Sequence, residues 1–186
     1  MPLSTSPQGT PTVWTVGHST RAFDAFLQIL AAHDIGAIAD VRRFPGSRRC
    51  PWFASEAMAT HLPEHGVDYE WIPQLGGRRR VQPGSPNGGW RNASFQGYAD
   101  HLATPEFAEG LARALALASR RGTPLMCAEA LWWQCHRALI ADVLKCRGFE
   151  VIHILDAVKT VPHTYSAPAR VDAGRLEYPP VQGALL

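Results

Sequence analysis

No hydrophobic run in this 186-residue sequence reaches the length that a membrane-spanning helix needs. Residues 1–11 also lack the basic start and the apolar core of a signal peptide. Cysteines are few, and in the absence of a secretion signal the four of them are expected to stay reduced, as catalytic, metal-binding or buried thiols. We therefore expect a cytoplasmic protein that has no disulfide bonds and no membrane partner.

An excess of charge of one sign is also lacking, because the formal net charge is only +2 and does not by itself indicate a nucleic-acid-binding protein. The distribution of charge is more informative. Only four acidic residues occur between positions 41 and 99, whereas eight arginines fall in two predicted loops of that stretch, which should be locally electropositive. The eight are Arg42, Arg43, Arg48, Arg49, Arg78, Arg79, Arg80 and Arg91.

These arginine-rich loops have three possible interpretations. They could bind a phosphate or nucleotide group of a small substrate, they could form a nucleic-acid surface, or they could simply be solvated. The expected partner is therefore a small anionic ligand or a nucleic acid. The aromatic residues that could stack on bases beside the arginines are Trp52, Phe53, Trp90 and Phe95.

The hydrophobic pattern alternates between strands and helices. Short apolar runs predict strands, and apolar residues at spacings of three and four predict helices between them. This order predicts a single-domain, three-layer α/β fold, with a mainly parallel sheet of about five strands and helices on both faces. The predicted strands are 12–16, 35–41, 67–73, 125–127 and 151–155, and the predicted helices begin near Phe23, after a Ser55 N-cap, at Pro105 and at residue 135.

The predicted domain organisation follows from the same pattern. Residues 1–11 are expected to be disordered, residues 12–165 to form the α/β domain, and residues 166–186 to form an extended C-terminal tail. Within the domain, the polar and Gly/Pro-rich stretch 76–97 is predicted to be a long loop, and loops of this length are commonly lids or binding elements.

Polar motifs lie where the predicted strands end. Because the carboxyl ends of parallel strands meet at one edge of a sheet, we expect these motifs to share a pocket there. The densest motif runs from Cys127 to Arg137, at a turn from a strand into a helix. The motifs are Gly17-His18-Ser19, Asp40 to Arg49, Leu75-Gly76-Gly77-Arg78 and Cys127-Ala128-Glu129, followed by Cys135-His136-Arg137.

Together these motifs resemble the domain of unknown function 488 family, over roughly residues 12–165. The resemblance also includes Pro45 and Ser47 after Asp40-Val41-Arg42. It implies an α/β fold with a cluster of polar signature residues, and it implies no established reaction. Such sequences often carry a His-Pro-Tyr-Thr element near the end, where this chain has His163-Thr164-Tyr165-Ser166.

Two thiols are candidate nucleophiles. Cys135 is predicted in the first turn of a helix, where free N–H groups and the helix dipole stabilise a thiolate. Cys127 ends the preceding strand, with Glu129 on the same side. Both thiols could instead be small buried residues. His18 is a candidate general base that Asp40 could orient, although Asp40 could equally cap a turn or pair with an arginine.

An anion could bind at the helix start between two arginines, Arg42 and Arg137, because this needs only N–H groups and a fork of donors. The Cys-x7-Cys-His spacing lacks the two close-spaced ligand pairs of a usual zinc site, so no metal and no cofactor are predicted. The other predicted substrate-binding residues are Ser19, Asp40, His136, Gly76, Gly77 and Arg78.

These expectations favour an enzyme that acts on an anionic substrate in a pocket at the C-terminal edge of the sheet. The substrate would be a nucleotide, a nucleic-acid component or a phosphorylated metabolite. The enzyme would be a hydrolase or transferase that depends on a cysteine or on the Glu129 and His18 pair. The alternative is a non-catalytic module that binds nucleic acid or a protein partner through the same arginines.

Overall fold

The computed structural model of the protein describes residues 10–181, so most of the predicted disordered segment 1–11 and the end of the predicted tail lie outside the described residues. The strands are β1 (Thr12–Gly17), β2 (Ala37–Asp40), β3 (Asp68–Trp71), β4 (Pro124–Cys127), β5 (Glu150–Ile154), β6 (Thr160–Pro162), β7 (Arg170–Asp172) and β8 (Arg175–Glu177). The helices are α1 (Phe23–Ala32), α2 (Ser55–Glu64), α3 (Ala93–His101), α4 (Pro105–Ala118) and α5 (Arg137–Cys146).

The main sheet has six strands in the order β3-β2-β4-β1-β5-β6. All pairings among β1 to β5 are parallel, and only β6 pairs antiparallel, at the edge beside β5. The predicted α/β class, the mainly parallel sheet and the single domain are therefore confirmed. Each of the five predicted strands has a counterpart in β1 to β5.

Buried side chains form two clusters, and successive residues of a strand alternate between them. Ala37 and Ala39 of β2 belong to the first cluster, and Ile38 belongs to the second. The first cluster takes side chains from α3, α4 and α5, and the second takes them from α1 and α2. Neighbouring residues of a strand point to opposite faces. β1, β2, β4 and β5 therefore contribute alternate residues to a cluster shared with α3, α4 and α5 and to a cluster shared with α1 and α2.

Helix starts follow the local sequence. Thr104 caps α4 by accepting a hydrogen bond from the N–H of Phe107, and Pro105 is the first helical residue, as predicted. Ser55 was predicted as the cap of α2 but is its first residue, after Ala54. No helix among residues 10–181 combines the length and the apolar character that crossing a membrane requires.

The predicted loop 76–97 is shorter in the structure, because α3 begins at Ala93 inside it. The side chain of Asn92 accepts hydrogen bonds from the N–H groups of Ser94 and Phe95, which caps the helix. Gly97 was counted in the Gly/Pro-rich stretch that was predicted to be a loop. Its lack of a side chain instead lets α3 lie against the backbone of Arg79.

The predicted extended tail, 166–186, contains secondary structure up to residue 181. β7 and β8 pair as an antiparallel hairpin. Tyr178, after the hairpin, is only 2% exposed, and its hydroxyl donates to the carboxylate of Asp142 in α5. Asp142 also accepts from the backbone N–H of Ser166. These hydrogen bonds hold the C-terminal segment against α5, so this segment belongs to the packed domain.

Candidate functional site

A cleft of about 330 Å³ lies at the carboxyl ends of β2 and β4. It is where a parallel sheet places the residues that follow its strands. Several predicted site residues line it: Arg42, Gly77, Arg78, Cys127, Glu129, Cys135 and His136. The other lining residues are Arg43, Phe44, Ser94, Phe95, Ala128 and Gln134.

The floor of the cleft holds the two signature thiols and one imidazole. The sulfurs of Cys127 and Cys135 and a ring nitrogen of His136 all lie within 4.8 Å of one another. A hydrogen bond from the Cys135 thiol and the positive charge of Arg137 together outweigh burial and lower the pKa of Cys127 to about 6. Burial and the same hydrogen bond raise the pKa of Cys135. The pair therefore holds one negative charge more readily than two.

Cys135 was predicted in the first turn of a helix, and this prediction is wrong. A single 3-10 turn, Trp132–Gln134, comes before it, its own backbone is extended, and α5 begins two residues later at Arg137. The N–H of Arg137 nevertheless donates to the sulfur of Cys135, at 3.3 Å. The helix start thus still points a donor at this thiol. Of the two candidate thiols, Cys127 is the one whose pKa is lowered, and that of Cys135 is raised.

Arg137 does not line the cleft, which corrects its predicted role in holding the substrate anion. Its side chain is 1% exposed. Its guanidinium donates to the sulfur of Cys135 at 3.1 Å, to the hydroxyl of Thr15 at 3.3 Å and to the backbone carbonyl of Glu129. Within residues 10–181 no carboxylate pairs with it. This buried cation therefore braces the floor of the cleft.

His18 and Asp40 lie behind Arg42 and do not reach the cleft. The carboxylate of Asp40 is fully buried and accepts from Nε and Nη2 of Arg42 at 2.8 and 2.6 Å. It also accepts from the hydroxyl of Tyr69. Of the two roles predicted for Asp40, pairing with an arginine is the one observed, and Asp40 does not hydrogen-bond to His18 to orient it as a base. Asp40 thus holds Arg42 in place and neutralises its charge, unlike the other two arginines that line the cleft, Arg43 and Arg78.

His18 is poorly suited to be the general base that the sequence suggested. Burial and the charge of Arg42 lower its pKa to about 4, so the ring is neutral near pH 7. Its Nδ1–H donates to the carbonyl of Ser19, which leaves Nε2 to accept from Nη1 of Arg42 at 3.0 Å. The ring also stacks on Phe53 at 4.2 Å. Both nitrogens are occupied, so His18 positions Arg42.

Ser19, Gly76 and Gly77 were predicted to bind substrate, and in the structure each helps to hold neighbouring chain segments close together. The N–H of Ser19 donates to the carbonyl of Ala128, which joins the ends of β1 and β4, and Ser19 does not line the cleft. A Cβ at Gly76 would lie 2.6 Å from the Cα of Arg43, and one at Gly77 would lie 2.9 Å from Nδ1 of His136. Both positions therefore need glycine because neighbouring chain segments approach closely.

The mouth of the cleft carries two arginines and an exposed phenylalanine. Arg43 and Arg78 each place a guanidinium within 6 Å of the ring of Phe44, at 5.6 and 5.9 Å. Phe44 is 64% exposed and was not predicted as a site residue, whereas Arg78 was, and Arg43 was predicted only as part of an electropositive loop. No carboxylate among the described residues forms an ion pair with either arginine. Their charges are therefore available to an anion.

Other loop residues that were predicted to contact a ligand instead contact the rest of the protein. Arg79 pairs with Glu106 at 2.9 Å and donates to three backbone carbonyls. Phe53 is fully buried, which excludes it as a base-stacking surface. Trp90 packs on Phe95 and Tyr178, with ring centroids 5.1 and 5.4 Å away. The arginine-rich loops are thus partly structural.

A chain of buried hydrogen bonds that the sequence did not suggest leads to the floor of the cleft. The carboxylate of Asp142 can only accept, so Nε2–H of His163 donates to it at 2.8 Å. His153 then donates to His163 at 3.0 Å, and Thr15 donates to His153 at 2.7 Å. Thr15 keeps a lone pair for Arg137. Four buried groups thus fix the orientation of the arginine that contacts Cys135.

The pH dependence of stability should reflect the buried His153. Burial lowers its pKa to about 2, and the nearby positive charge of Arg137 acts in the same direction. Between the unfolded value of about 6.5 and this pKa, the unfolded chain binds a proton that the folded chain does not, so stability falls as the pH falls. We expect the free energy of unfolding in urea to be about 2 kcal/mol lower at pH 5 than at pH 7 from this group.

A His153→Gln variant provides the control for this prediction. Glutamine cannot take up a proton, so the variant should lose less stability on acidification even though it starts from a lower value. Parallel losses in the wild type and the variant would show that His153 is not the source.

Comparison with known proteins agrees with the motifs. Residues 22–144, about two thirds of the chain, match the family described as Domain of unknown function DUF488. Neither a curated protein nor a solved structure matches the chain. The matched region contains every lining residue of the cleft. On this match the chain belongs to the DUF488 family.

Proposed function

We propose that this protein is an enzyme that acts on a small anionic substrate, a nucleotide or a phosphorylated compound, bound in the cleft. The observation that carries the proposal is the pair of cations at the mouth, Arg43 and Arg78. Among residues 10–181 neither forms an ion pair, whereas Arg42 and Arg79 both do. Guanidinium groups match phosphate oxygens in both charge and geometry.

The size and lining of the cleft favour a small ligand. A volume of about 330 Å³ is at the lower end of the range for small-molecule pockets. Phe44 is exposed between the two arginines, and Phe95 also lines the cleft. An aromatic ring beside two cations can contact a base and a phosphate of the same molecule. A mononucleotide can therefore contact both the arginines and the aromatic rings, whereas inorganic phosphate can contact only the arginines.

Reactive groups lie in the same cleft as the anion-binding rim. The thiols of Cys127 and Cys135 form part of the floor, and the carboxylate of Glu129 lines the cleft beside them. Glu129 is exposed and has no ion-pair partner in the described part of the chain. A bound anion would therefore have a soft nucleophile or ligand and a proton acceptor within the same space.

AMP binding by arginine variants tests the anion-binding rim. Calorimetric titration with AMP should show about tenfold weaker binding for Arg43→Ala and for Arg78→Ala, because each loses a charge-assisted hydrogen bond. Arg80→Ala is the matched control, since Arg80 is exposed in the same loop and does not line the cleft. Its affinity should stay within about twofold of the wild type.

The same variants distinguish the nucleic-acid alternative. Labelled single-stranded and double-stranded oligonucleotides would be titrated at low and moderate salt concentrations. A nucleic-acid surface would bind them more tightly than AMP, and Arg80→Ala would reduce the salt dependence as much as Arg78→Ala. That result, or equal AMP binding by all three variants, would contradict the proposal.

A further inference from the structure

Three potential metal ligands meet at the floor of the cleft. They are the sulfurs of Cys127 and Cys135 and a ring nitrogen of His136, and they are mutually within 4.8 Å. A tetrahedral zinc ion, with bonds of about 2.3 Å to sulfur and 2.0 Å to nitrogen, holds its ligand atoms roughly 3.5 to 3.8 Å apart, so a small adjustment of these side chains would bring all three onto one ion. The sequence analysis considered these residues and predicted no metal, because Cys-x7-Cys-His lacks two close-spaced ligand pairs; the fold brings the first ligand from β4 and the other two from just before α5.

Two of the three ligands, His136 and Cys135, are already held by hydrogen bonds with residues outside the cluster. Nε2 of His136 donates to the backbone carbonyl of Val41 at 2.8 Å, which leaves Nδ1 with a free lone pair. The sulfur of Cys135 accepts from the side chain and the N–H of Arg137. Metal sites typically orient their ligands with such outer hydrogen bonds.

The space in front of the imidazole is kept open by Gly77. A Cβ at this position would approach Nδ1 of His136 to 2.9 Å and the ring carbon beside it to 3.2 Å. Because Nε2 already donates to a carbonyl, Nδ1 is the only nitrogen of this ring that can bind an ion. The glycine therefore leaves free the lone pair that a metal would need.

We propose that Cys127, Cys135 and His136 bind one divalent metal ion of the zinc class, with a fourth position open to the cleft. Two thiolates and one imidazole suit zinc, and three protein ligands with an open position are typical of catalytic zinc sites. The metal site goes beyond the proposed function, because it requires no bound anion.

The charges around the cluster also indicate the type of fourth ligand. Two thiolates neutralise a divalent ion, and the buried guanidinium of Arg137 then leaves one positive charge. An anionic fourth ligand, a hydroxide or an oxygen of an anionic substrate, would bring the cluster to neutrality. A mouth that carries Arg43 and Arg78 would favour the entry of such an anion.

The proposal is tested by titrating the reduced, metal-free protein with Co²⁺ and then competing with Zn²⁺. We expect one equivalent of Co²⁺ to bind with the thiolate charge-transfer and tetrahedral absorption bands, and Zn²⁺ to displace it. Cys127→Ser, Cys135→Ser and His136→Ala should each weaken Zn²⁺ binding by at least about 100-fold, the upper end of losses caused by outer contacts alone. Cys146→Ser is the matched control and should bind like the wild type.

Gly77→Ala provides a variant that keeps all three ligands. Its added methyl group should weaken Zn²⁺ binding by at least about tenfold through the obstruction of Nδ1 of His136. Circular dichroism would establish that each variant is folded. Binding without thiolate bands, or equal binding by folded Cys127→Ser and wild-type protein, would overturn the proposal.

A measurement on the wild-type protein covers the case in which the variants do not fold. Alkylation with iodoacetamide, followed by mass spectrometry, would be compared with and without one equivalent of Zn²⁺. Zn²⁺ should slow the labelling of Cys127 and Cys135 at least about tenfold and leave that of Cys146 unchanged. Unchanged labelling of the first two would refute the site. Neither result depends on AMP binding, so the metal site and the proposed function can fail separately.

Discussion

Replacing Asp142 with alanine should lower the free energy of unfolding by about 4 kcal/mol, the largest effect we expect from a single side chain. The carboxylate is fully buried in α5 and accepts from Nε2–H of His163, the N–H of Ser166 and the hydroxyl of Tyr178. Alanine would leave all three donors without an acceptor in a dry environment. Each would then carry the cost of lost hydration.

Tyr178→Phe is the graded control for Asp142→Ala. It removes one donor and leaves the carboxylate with two, so we expect a loss of about 1.5 kcal/mol. Urea unfolding measures both values, and limited proteolysis of the segment after His163 reports whether this segment detaches first. If Asp142→Ala destabilises the protein no more than Tyr178→Phe does, hydrogen bonds to this carboxylate do not hold the C-terminal segment in place.

Gly17→Ala should cost about 3 kcal/mol, because overpacking against backbone cannot be relieved by a rotamer change. An added Cβ would overlap the carbonyl oxygen of Glu129, and it would lie 2.7 Å from the carbonyl carbon and 2.9 Å from Nη2 of Arg137. The end of β1 would have to move away from the chain that follows Cys127. The floor of the cleft should therefore loosen together with the fold.

Gly46→Ala makes the same chemical change in open space, where nothing lies within 4 Å of the added Cβ. Its stability should stay within about 0.5 kcal/mol of the wild type. Chemical unfolding of the two variants side by side separates the close approach at Gly17 from any general effect of alanine on the unfolded chain. Similar losses in both would mean that the contact with Glu129 is relieved at little cost.

The fold class could be predicted because its signals are local. The runs that form β1, β2 and β4 are short and largely apolar. The start of α4 is also recognisable locally, because Thr104 can cap a helix and Pro105 favours its first position. The C-terminal segment could not be predicted in this way. Its order depends on a carboxylate in α5, and Asp142 lies within an apolar run. An acidic residue on the buried side of a helix was the available signal.

The location of the candidate site could be predicted more successfully than the roles of its individual residues. The parallel sheet brought Arg42, Cys127 and Cys135 to one cleft. Roles depend on which direction a side chain takes and on what it contacts. Arg137 turns inward to a thiol, and Arg43 turns to the rim beside Phe44, although both follow polar motifs. Spacing along the sequence does not carry that distinction.

The strand order also determines when the protein can fold during synthesis. β1 is the first strand to be made, and both of its neighbours, β4 and β5, lie more than 100 residues further along the chain. An inner strand therefore waits, with its hydrogen-bonding groups and its apolar side chains unpaired, until almost the whole domain has been translated. Closing such long loops makes folding slow, and during that time the unpaired strand is exposed to aggregation.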